Sequence, residues 1–411
     1  MDEPGKAADV VCVASHFKGE EFLREAARLG AHVSLVTRER TRHEPWPHES
    51  LAETVFLPDD AGAELVVHAV SQLARRRPLR VLAALEEFDV ITAALAREHL
   101  RLAGLKSTEA RRFRDKLSMR AEAEAASIRV PEFVPLFNYQ EVGEYMGRVP
   151  PPWVLKPRSD VSSSGVRVCQ EPEQVWRAID ELDARPALQD KSTYYLLERY
   201  VAGEVFHVDS LVEGGEVVFA GASRYGRPPL DVAQGGGVFL SHTVEYDSPD
   251  HSALLRMNAA VLGALGLGYG AAHAEFIKGA ADGEFYFLEV AARVGGAFIA
   301  ETLEAATGVN LWREWARLEL SRAAGRALGR FETGRAYSGI ALSLARQEHP
   351  DTSAYDDPEI VRRMSKPHHV GLIVRSESLA RVRELLDGYA ERFARDFSAY
   401  VPPPDRREIN L

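Results

Sequence analysis

Cysteine is almost missing. Cys12 and Cys169 are the two in 411 residues, and each falls inside an apolar run, so a disulfide framework is excluded, both thiols read as packing residues, and a reducing, cytoplasmic setting is expected. A basic surplus is missing too: 50 Lys and Arg against 61 Asp and Glu leave a net charge of −11. No overall field draws nucleic acid or an anionic membrane, neither is an expected partner, and any charged ligand must be met by a local site. The longest uncharged run, Met257 to Ala274, is glycine-rich, contains His273, and reads as a helix end followed by a strand, not a membrane span. The start, Met1-Asp2-Glu3-Pro4, has neither a basic nor an apolar stretch, so no secretory signal is expected. The phosphate-loop signature Gly-x-x-x-x-Gly-Lys-Ser/Thr is absent, which excludes nucleotide binding by that route. Gly266-x-Gly268-x-x-Ala271 imitates a dinucleotide fingerprint but follows a helix and precedes a strand, the wrong order. His43, His48, His368 and His369 lack metal spacing and read as loop residues.

What is present is a large globular chain. With 45% hydrophobic residues it can bury an extensive core, and its length predicts two or three domains. Val10 to Ala14, a helical pattern at Glu20 to Leu29 and Val33 to Val36 make a βαβ unit. A second cycle follows through Leu65 to Arg75, Val81 to Leu85 and Val90 to Leu102, implying a parallel sheet covered by helices over residues 1–106. Ser107-Thr108-Glu109 reads as the N-cap of one helix carrying Phe113, Leu117, Ala121 and Ile128. Beyond Pro150-Pro151-Pro152 come short strands, among them Trp153 to Lys156, Tyr194 to Tyr200 and Val205 to Val212, and the turn Glu213-Gly214-Gly215-Glu216 makes this portion antiparallel.

The segment Glu275 to Arg293 carries the most information. Two apolar runs flank an Asp282-Gly283 turn signal, and each holds one carboxylate, Glu275 and Glu289, equidistant from the turn. Facing each other across a ladder, with β-carbons about 5 Å apart, they repel unless a cation holds them, and an oxygen-only ligand pair suits magnesium. Taken alone, such a pair more often marks a solvated strand edge. Arg293 extends the same face.

Lys156 projects from a strand end, kept extended by Pro157, and the loop Ser159-Asp160-Val161-Ser162-Ser163-Ser164-Gly165 offers backbone and hydroxyl donors to an anion. Lysine and loop together suggest a polyphosphate, although an ordinary serine-rich loop explains them equally. The strand Leu196 to Val201, leading into Gly203-Glu204, has the alternation of a segment that sandwiches a planar base, with Glu204 able to take ribose hydroxyls. A half-buried strand with a polar outer face explains the same pattern.

In order along the chain, Arg114-Asp115-Lys116 with Met119, Val154-Leu155-Lys156-Pro157 with its Ser-Gly loop, Glu198-Arg199-Tyr200-Val201 with Gly203-Glu204, Glu275, and Glu289 through Arg293-Val294-Gly295-Gly296 resemble the ATP-grasp superfamily. The likeness runs from the first βαβ unit to about residue 320. It implies a mixed α/β and α+β architecture: an N-terminal parallel α/β (pre-ATP-grasp) domain (1–106), linker helices and a small lobe (107–202), a large lobe (203–330) whose sheets are antiparallel, and a C-terminal mixed portion packing on the large lobe (331–411). By the same resemblance Lys116 and Lys156 bind the phosphates of ATP beneath the loop Ser162, Ser163, Ser164, Gly165. Glu198, Arg199 and Val201 hold adenine, the latter two through backbone groups, Glu204 holds ribose, and Glu275 and Glu289 bind Mg2+. Arg293 stabilises the transferring phosphoryl group or the substrate carboxylate. The family commonly has Asn two residues after the second glutamate; here Ala291 stands there, which leaves the number of metal ions open.

The branch resembled most is that of carboxylate-amine ligases joining amino acids, L-amino-acid ligases included, with catalysis by Arg293 and Lys156 through an acyl phosphate. A purine-pathway type of enzyme and an ATP-binding module without turnover are the alternatives. A biotin-dependent carboxylase fits less well, since no Met-Lys biotinyl segment occurs. Small-molecule carboxylate and amine substrates are the expected partners, and a symmetric homodimer is the default assembly. Substrate contacts are sought at Glu86, at the carboxyl end of a parallel strand, and at Arg224, His242, His273, Arg293, Gly295 and Gly296. Acidic helix starts explain Glu86 and Glu87 more simply, and a packed histidine explains His273 equally. Gln234-Gly235-Gly236-Gly237, beside Arg224, Tyr225 and His242, reads either as a lid against water or as a passive loop.

Overall fold

Apolar runs alternating with amphipathic helices dictate the first layer. In the computed structural model, which describes residues 8–160, 164–228, 230, 236–329, 331–397 and 399, β1 (Asp9–Ala14), β2 (His32–Arg38), β3 (Glu53–Leu57) and β4 (Leu79–Ala84) form a parallel sheet in the order β3-β2-β1-β4. Helices α1 (Glu20–Arg28), α2 (Ala63–Arg76) and α3 (Val90–His99) follow β1, β3 and β4. Chain order reverses between β1 and β4, so the carboxyl ends of these two strands border the crevice where open parallel sheets bind ligands.

The single linker helix expected from Ser107 is instead two, α4 (Ser107–Arg112) and α5 (Lys116–Ala125). Glu109 closes back on the Lys106 amide at 2.6 Å, and Asp115 starts the second helix by accepting from Leu117 N at 3.0 Å. A capping carboxylate in mid-pattern offers the backbone an alternative to continuing. The break is what frees Arg114 and Lys116 from a helix interior. These helices bury Phe113, Met119 and Ala123 in a core shared with the large lobe.

The small lobe is the antiparallel sheet β5-β8-β6-β7, made of β5 (Phe133–Pro135), β6 (Trp153–Pro157), β7 (Arg167–Cys169) and β8 (Tyr195–Arg199), with α6 (Tyr139–Arg148) and α7 (Pro172–Asp183). It keeps a core of its own around Trp153, Leu155 and Ile179.

The large lobe contains β9 (Gly203–Glu213), β10 (Glu216–Tyr225), β11 (Phe239–Thr243), α8 (Pro249–Leu265), β12 (Tyr269–Gly279), β13 (Phe285–Ala291), α9 (Ile299–Thr307) and α10 (Leu311–Ala323). Gly214 and Gly215, with φ of 61° and 86°, make the two-residue turn between β9 and β10, a conformation that needs positive φ at both positions. The C-terminal portion does not merely pack on this lobe. Its strands β14 (Tyr337–Leu344), β15 (Ile360–Arg363) and β16 (His369–Ser376) extend the same sheet to eight, in the order β13-β12-β9-β10-β11-β14-β16-β15, and α11 (Leu379–Asp396) lies against β14 and β16.

The N-terminal sheet is fused to the large lobe by burial. Val10, Cys12, Phe22 and Val81 share one apolar cluster with Leu211, Ala271, Trp312 and Trp315, and Phe22 meets Trp315 edge-on at 5.0 Å. Both cysteines are free and buried. Among the described residues no helix is long and apolar enough to cross a membrane.

Candidate active site

Strands β12 and β13 pair antiparallel with Glu275 opposite Glu289. Counted from the turn, Ile277–Tyr286 and Phe276–Phe287 would leave Leu288 opposite Glu275. The ladder shifts there, Leu288 becomes the extra residue of a bulge, and Glu289 takes the place across from Glu275. Bulges re-aim side chains in this way. Here both Leu288 and Glu289 face a cleft of about 990 Å³ between the two antiparallel sheets.

That cleft is walled by β6 and β8 of the small lobe, by β9, β12 and β13 of the large lobe, and by Lys116. Lys116 Nζ lies 3.0 Å from Glu289 Oε2 and donates to Asp160 O at 2.7 Å. Lys156 Nζ lies 2.6 Å from Glu198 Oε2. Burial pushes the Lys156 ammonium down to about 8, only partly opposed by Glu198. Ser164 and Val201 also line the cleft; Gly165 turns the chain with φ of 68°, whereas Ser162 and Ser163 lie outside the described residues. The Arg199 amide is committed to Glu132 O at 2.8 Å, and its guanidinium donates to the Tyr286 hydroxyl at 3.2 Å.

Glu198 is 2% exposed and faces two cations. Arg120, fully buried, approaches its other oxygen at 2.7 Å by distance, but without the alignment of a hydrogen bond. Burial raises the Glu198 carboxyl, yet Arg120 and Lys156 outweigh it and hold it low. Its observed part is therefore to anchor Lys156. Glu204 stands outside the cleft wall, half exposed and paired with Arg224 at 2.7 Å, so these two candidates engage each other.

Beneath Glu275 lies a buried network. Asp209 bridges His207 Nδ1 at 2.6 Å and His273 Nδ1 at 2.9 Å, and His207 Nε2 meets Ser241 Oγ at 2.8 Å. The Tyr225 hydroxyl donates to Glu275 Oε1 at 2.8 Å. Burial alone would lower His273; Asp209 outweighs it and lifts the imidazole to about 9. His242, in contrast, is pushed down to about 4 by burial and bonds the Thr243 carbonyl at 2.9 Å. A β-carbon on Gly295 would lie 2.7 Å from Asp209 Oδ1 and 3.1 Å from His273 Nδ1. Only glycine lets the loop after Arg293 ride on this network. In the same loop Gly296 O accepts from Ile299 N at 3.0 Å, and Ala297 and Phe298 have φ of 50° and 57°, a conformation side chains seldom adopt and one that collects at functional sites.

Arg293 does not line the cleft wall. It points toward the N-terminal sheet and donates to Glu87 Oε2 at 2.6 Å. Arg114 holds the other oxygen of Glu87, and Glu86 accepts from Lys18 Nζ at 2.7 Å. Of the proposed lid, Gln234 and Gly235 lie outside the described residues, while Gly236 and Gly237 precede β11.

Arg120, His207, Asp209 and Lys18 are absent from the residues picked by sequence. Arg120 had a signal, four positions beyond Lys116 and thus on its helix face. Asp209 alternates with His207 on one strand face, but its partner His273 is 64 positions away.

Residues 149–301, which hold Lys156 and the paired acids, are matched by a family model described as an ATP-grasp domain, and Lys116 precedes the matched stretch. The chain carries an ATP-grasp domain. An L-arginine-specific L-amino acid ligase of Bacillus subtilis is 22% identical over 296 residues, 71% of this chain and 69% of that protein. The crystal structure of an L-amino acid ligase from Bacillus licheniformis superposes with a TM-score of 0.75 at 18% identity, over 96% of this chain and 98% of the other. A carboxyaminoimidazole ribonucleotide synthase from Aspergillus clavatus, solved in complex with ATP, superposes with a TM-score of 0.72 at 14% identity, over 95% and 99%. These structural likenesses carry the ATP-grasp fold. The donor set also fits its ligands: hard carboxylate oxygens facing across β12 and β13 suit Mg2+, and two ammonium groups in the same cleft suit a polyphosphate.

Proposed function

We propose that the protein is an ATP-dependent ligase joining a carboxylate, an amino acid in the first instance, to an amine. The observation that carries this reading is the register of Glu275 opposite Glu289 in one cleft with Lys116 and Lys156. In the proposed reaction a substrate carboxylate oxygen attacks the γ-phosphorus of ATP, the bond to the β-phosphate oxygen breaks, and ADP leaves. The amine then attacks the acyl carbon and expels phosphate, its surplus proton passing to solvent, which leaves an amide. Lys116 and Lys156 would offset charge on the triphosphate, Glu275 and Glu289 would hold magnesium, which would supply further stabilisation of the charge developed in transfer, and Arg293 would neutralise the transferring group or the substrate carboxylate.

The test is incubation with ATP, Mg2+ and pairs of amino acids, reading ADP release together with product mass. Glu289→Ala and Glu275→Ala should each lower substrate-stimulated release by about 100-fold or more, the scale on which removed electrostatic stabilisation acts. ATP binding without substrate-stimulated release in the unaltered protein would sink the ligase reading in favour of a nucleotide-binding module.

A further inference from the structure

Glu87 is not explained by the nucleotide cleft. It follows β4 at the carboxyl end of the parallel sheet, in the crevice beside β1, and is 9% exposed. One of its oxygens accepts from Arg293 Nη2 at 2.6 Å, and the other accepts from Arg114 Nη1. Arg293 comes four residues after Glu289. Arg114 sits in the break between α4 and α5, two residues before Lys116, and its Nη2 donates to Ser159 O at 2.8 Å, at the start of the serine loop.

One carboxylate thus ties the N-terminal sheet to the loop bearing Arg293 and, through Arg114, to the strand end that leaves Lys156. The segment holding it is itself fixed. Glu86 Oε1 accepts from Glu87 N at 2.9 Å, Asp89 Oδ2 accepts from Ser15 N at 2.6 Å, and Phe88 lies 5.4 Å from the Arg114 guanidinium. Two guanidiniums drawn to one point repel each other, so without Glu87 both would swing away. Arg293 is held by its Nη groups only, Nη1 to Val294 O at 3.0 Å and Nη2 to Glu87, while its Nε has no acceptor among the described residues. Its aim therefore depends on Glu87.

We propose that Glu87 is a positioning residue, which sets the reach of Arg293 and couples it through Arg114 to the Ser159 end of the serine loop. The kinetic part of the test rests on the ligase reading; the exchange part does not.

The full-length chain, Glu87→Gln and Glu87→Asp would be compared in three measurements. These are the affinity for Mg2+ with a non-hydrolysable ATP analogue, amide hydrogen exchange in that complex, and ADP release with MgATP and an equimolar mixture of the standard amino acids. For Glu87→Gln the expected result is analogue affinity and KM for ATP within about threefold of the original and kcat lower by about 100-fold, the loss a 1 Å misplacement brings. Amides of residues 293–296 should exchange about tenfold faster, with β9 and β12 unchanged, as for a local opening. Glu87→Asp, keeping the charge, should recover part of both losses. Unchanged exchange at 293–296, a kcat near the original, or affinity and kcat falling together would each overturn the proposal. If the unaltered protein releases no ADP with the mixture, the ligase reading fails, and exchange at 293–296 still decides the role of Glu87.

Discussion

Lys156 titrates within reach of experiment. Its ammonium is buried, and burial brings it from the ordinary 10.5 down to about 8 even with Glu198 at 2.6 Å. A triphosphate arriving in the cleft adds acceptors and negative charge, which restores the charged form. At pH 9 roughly a tenth of the free protein carries the proton, so nucleotide binding there should take up close to one proton, and affinity should fall about tenfold between pH 7 and 9, or about 1.4 kcal/mol. Titration calorimetry with MgATP in two buffers of different ionisation enthalpy reads the uptake directly. Lys156→Arg is the control, because a guanidinium stays charged throughout. The sign on stability is that of any group held below its ordinary value in the folded chain, and opposite to that of a raised histidine. The unfolded chain holds this proton up to about 10.5 and the folded one only to about 8, so the unaltered protein should gain stability relative to Lys156→Arg as pH rises across that window. Binding at pH 9 with no proton uptake, or the same uptake in Lys156→Arg, would refute the reasoning.

Asp209→Asn should destabilise the fold by about 3–5 kcal/mol at pH 6, since it leaves buried partners unmatched. His273 stays charged in the folded chain to about 9 against an ordinary 6.5. The stabilisation it draws from Asp209 is complete below 6.5 and disappears as pH rises through 9, so urea unfolding should find the gap between the two proteins narrowing over that interval. Magnesium dependence follows from the charge count in the cleft, where Lys116, Lys156 and Arg120 are already balanced by Glu198, Glu275 and Glu289. A nucleotide triphosphate then brings uncompensated charge, and calorimetry in excess EDTA should find ATP affinity weaker by about 100-fold or more, about 2.7 kcal/mol; equal affinity with and without the metal would contradict the assignment of the two glutamates.

How far the site could be read from the chain depends on the distance over which each contact is set. Glu275 and Glu289 lie within one hairpin, whose two strands period and turn chemistry reveal although a bulge completes the pairing of the two acids, and the domain order follows from alternating patterns in the same local way. The bulge at Leu288 escaped because it breaks the period that made the hairpin legible, and the break at Arg114–Asp115 escaped because a capping aspartate inside a helical pattern is a weak signal against the apolar spacing around it. The family resemblance assigns Glu198 to adenine, whereas strand alternation records only that its side chain is on one face. What it meets there, Lys156 from the neighbouring strand and Arg120 from a helix, depends on sheet order and lobe packing. Glu87 is the extreme case. It reads as an acid opening a helix, and becomes a junction only because α10 and the shared apolar cluster press the N-terminal sheet against the large lobe, bringing Arg293 to it across 206 positions of chain. A long-range ion pair of this kind has no periodicity to betray it; its trace in the sequence is a charged residue at the carboxyl end of a parallel strand, where charge has no packing reason to be.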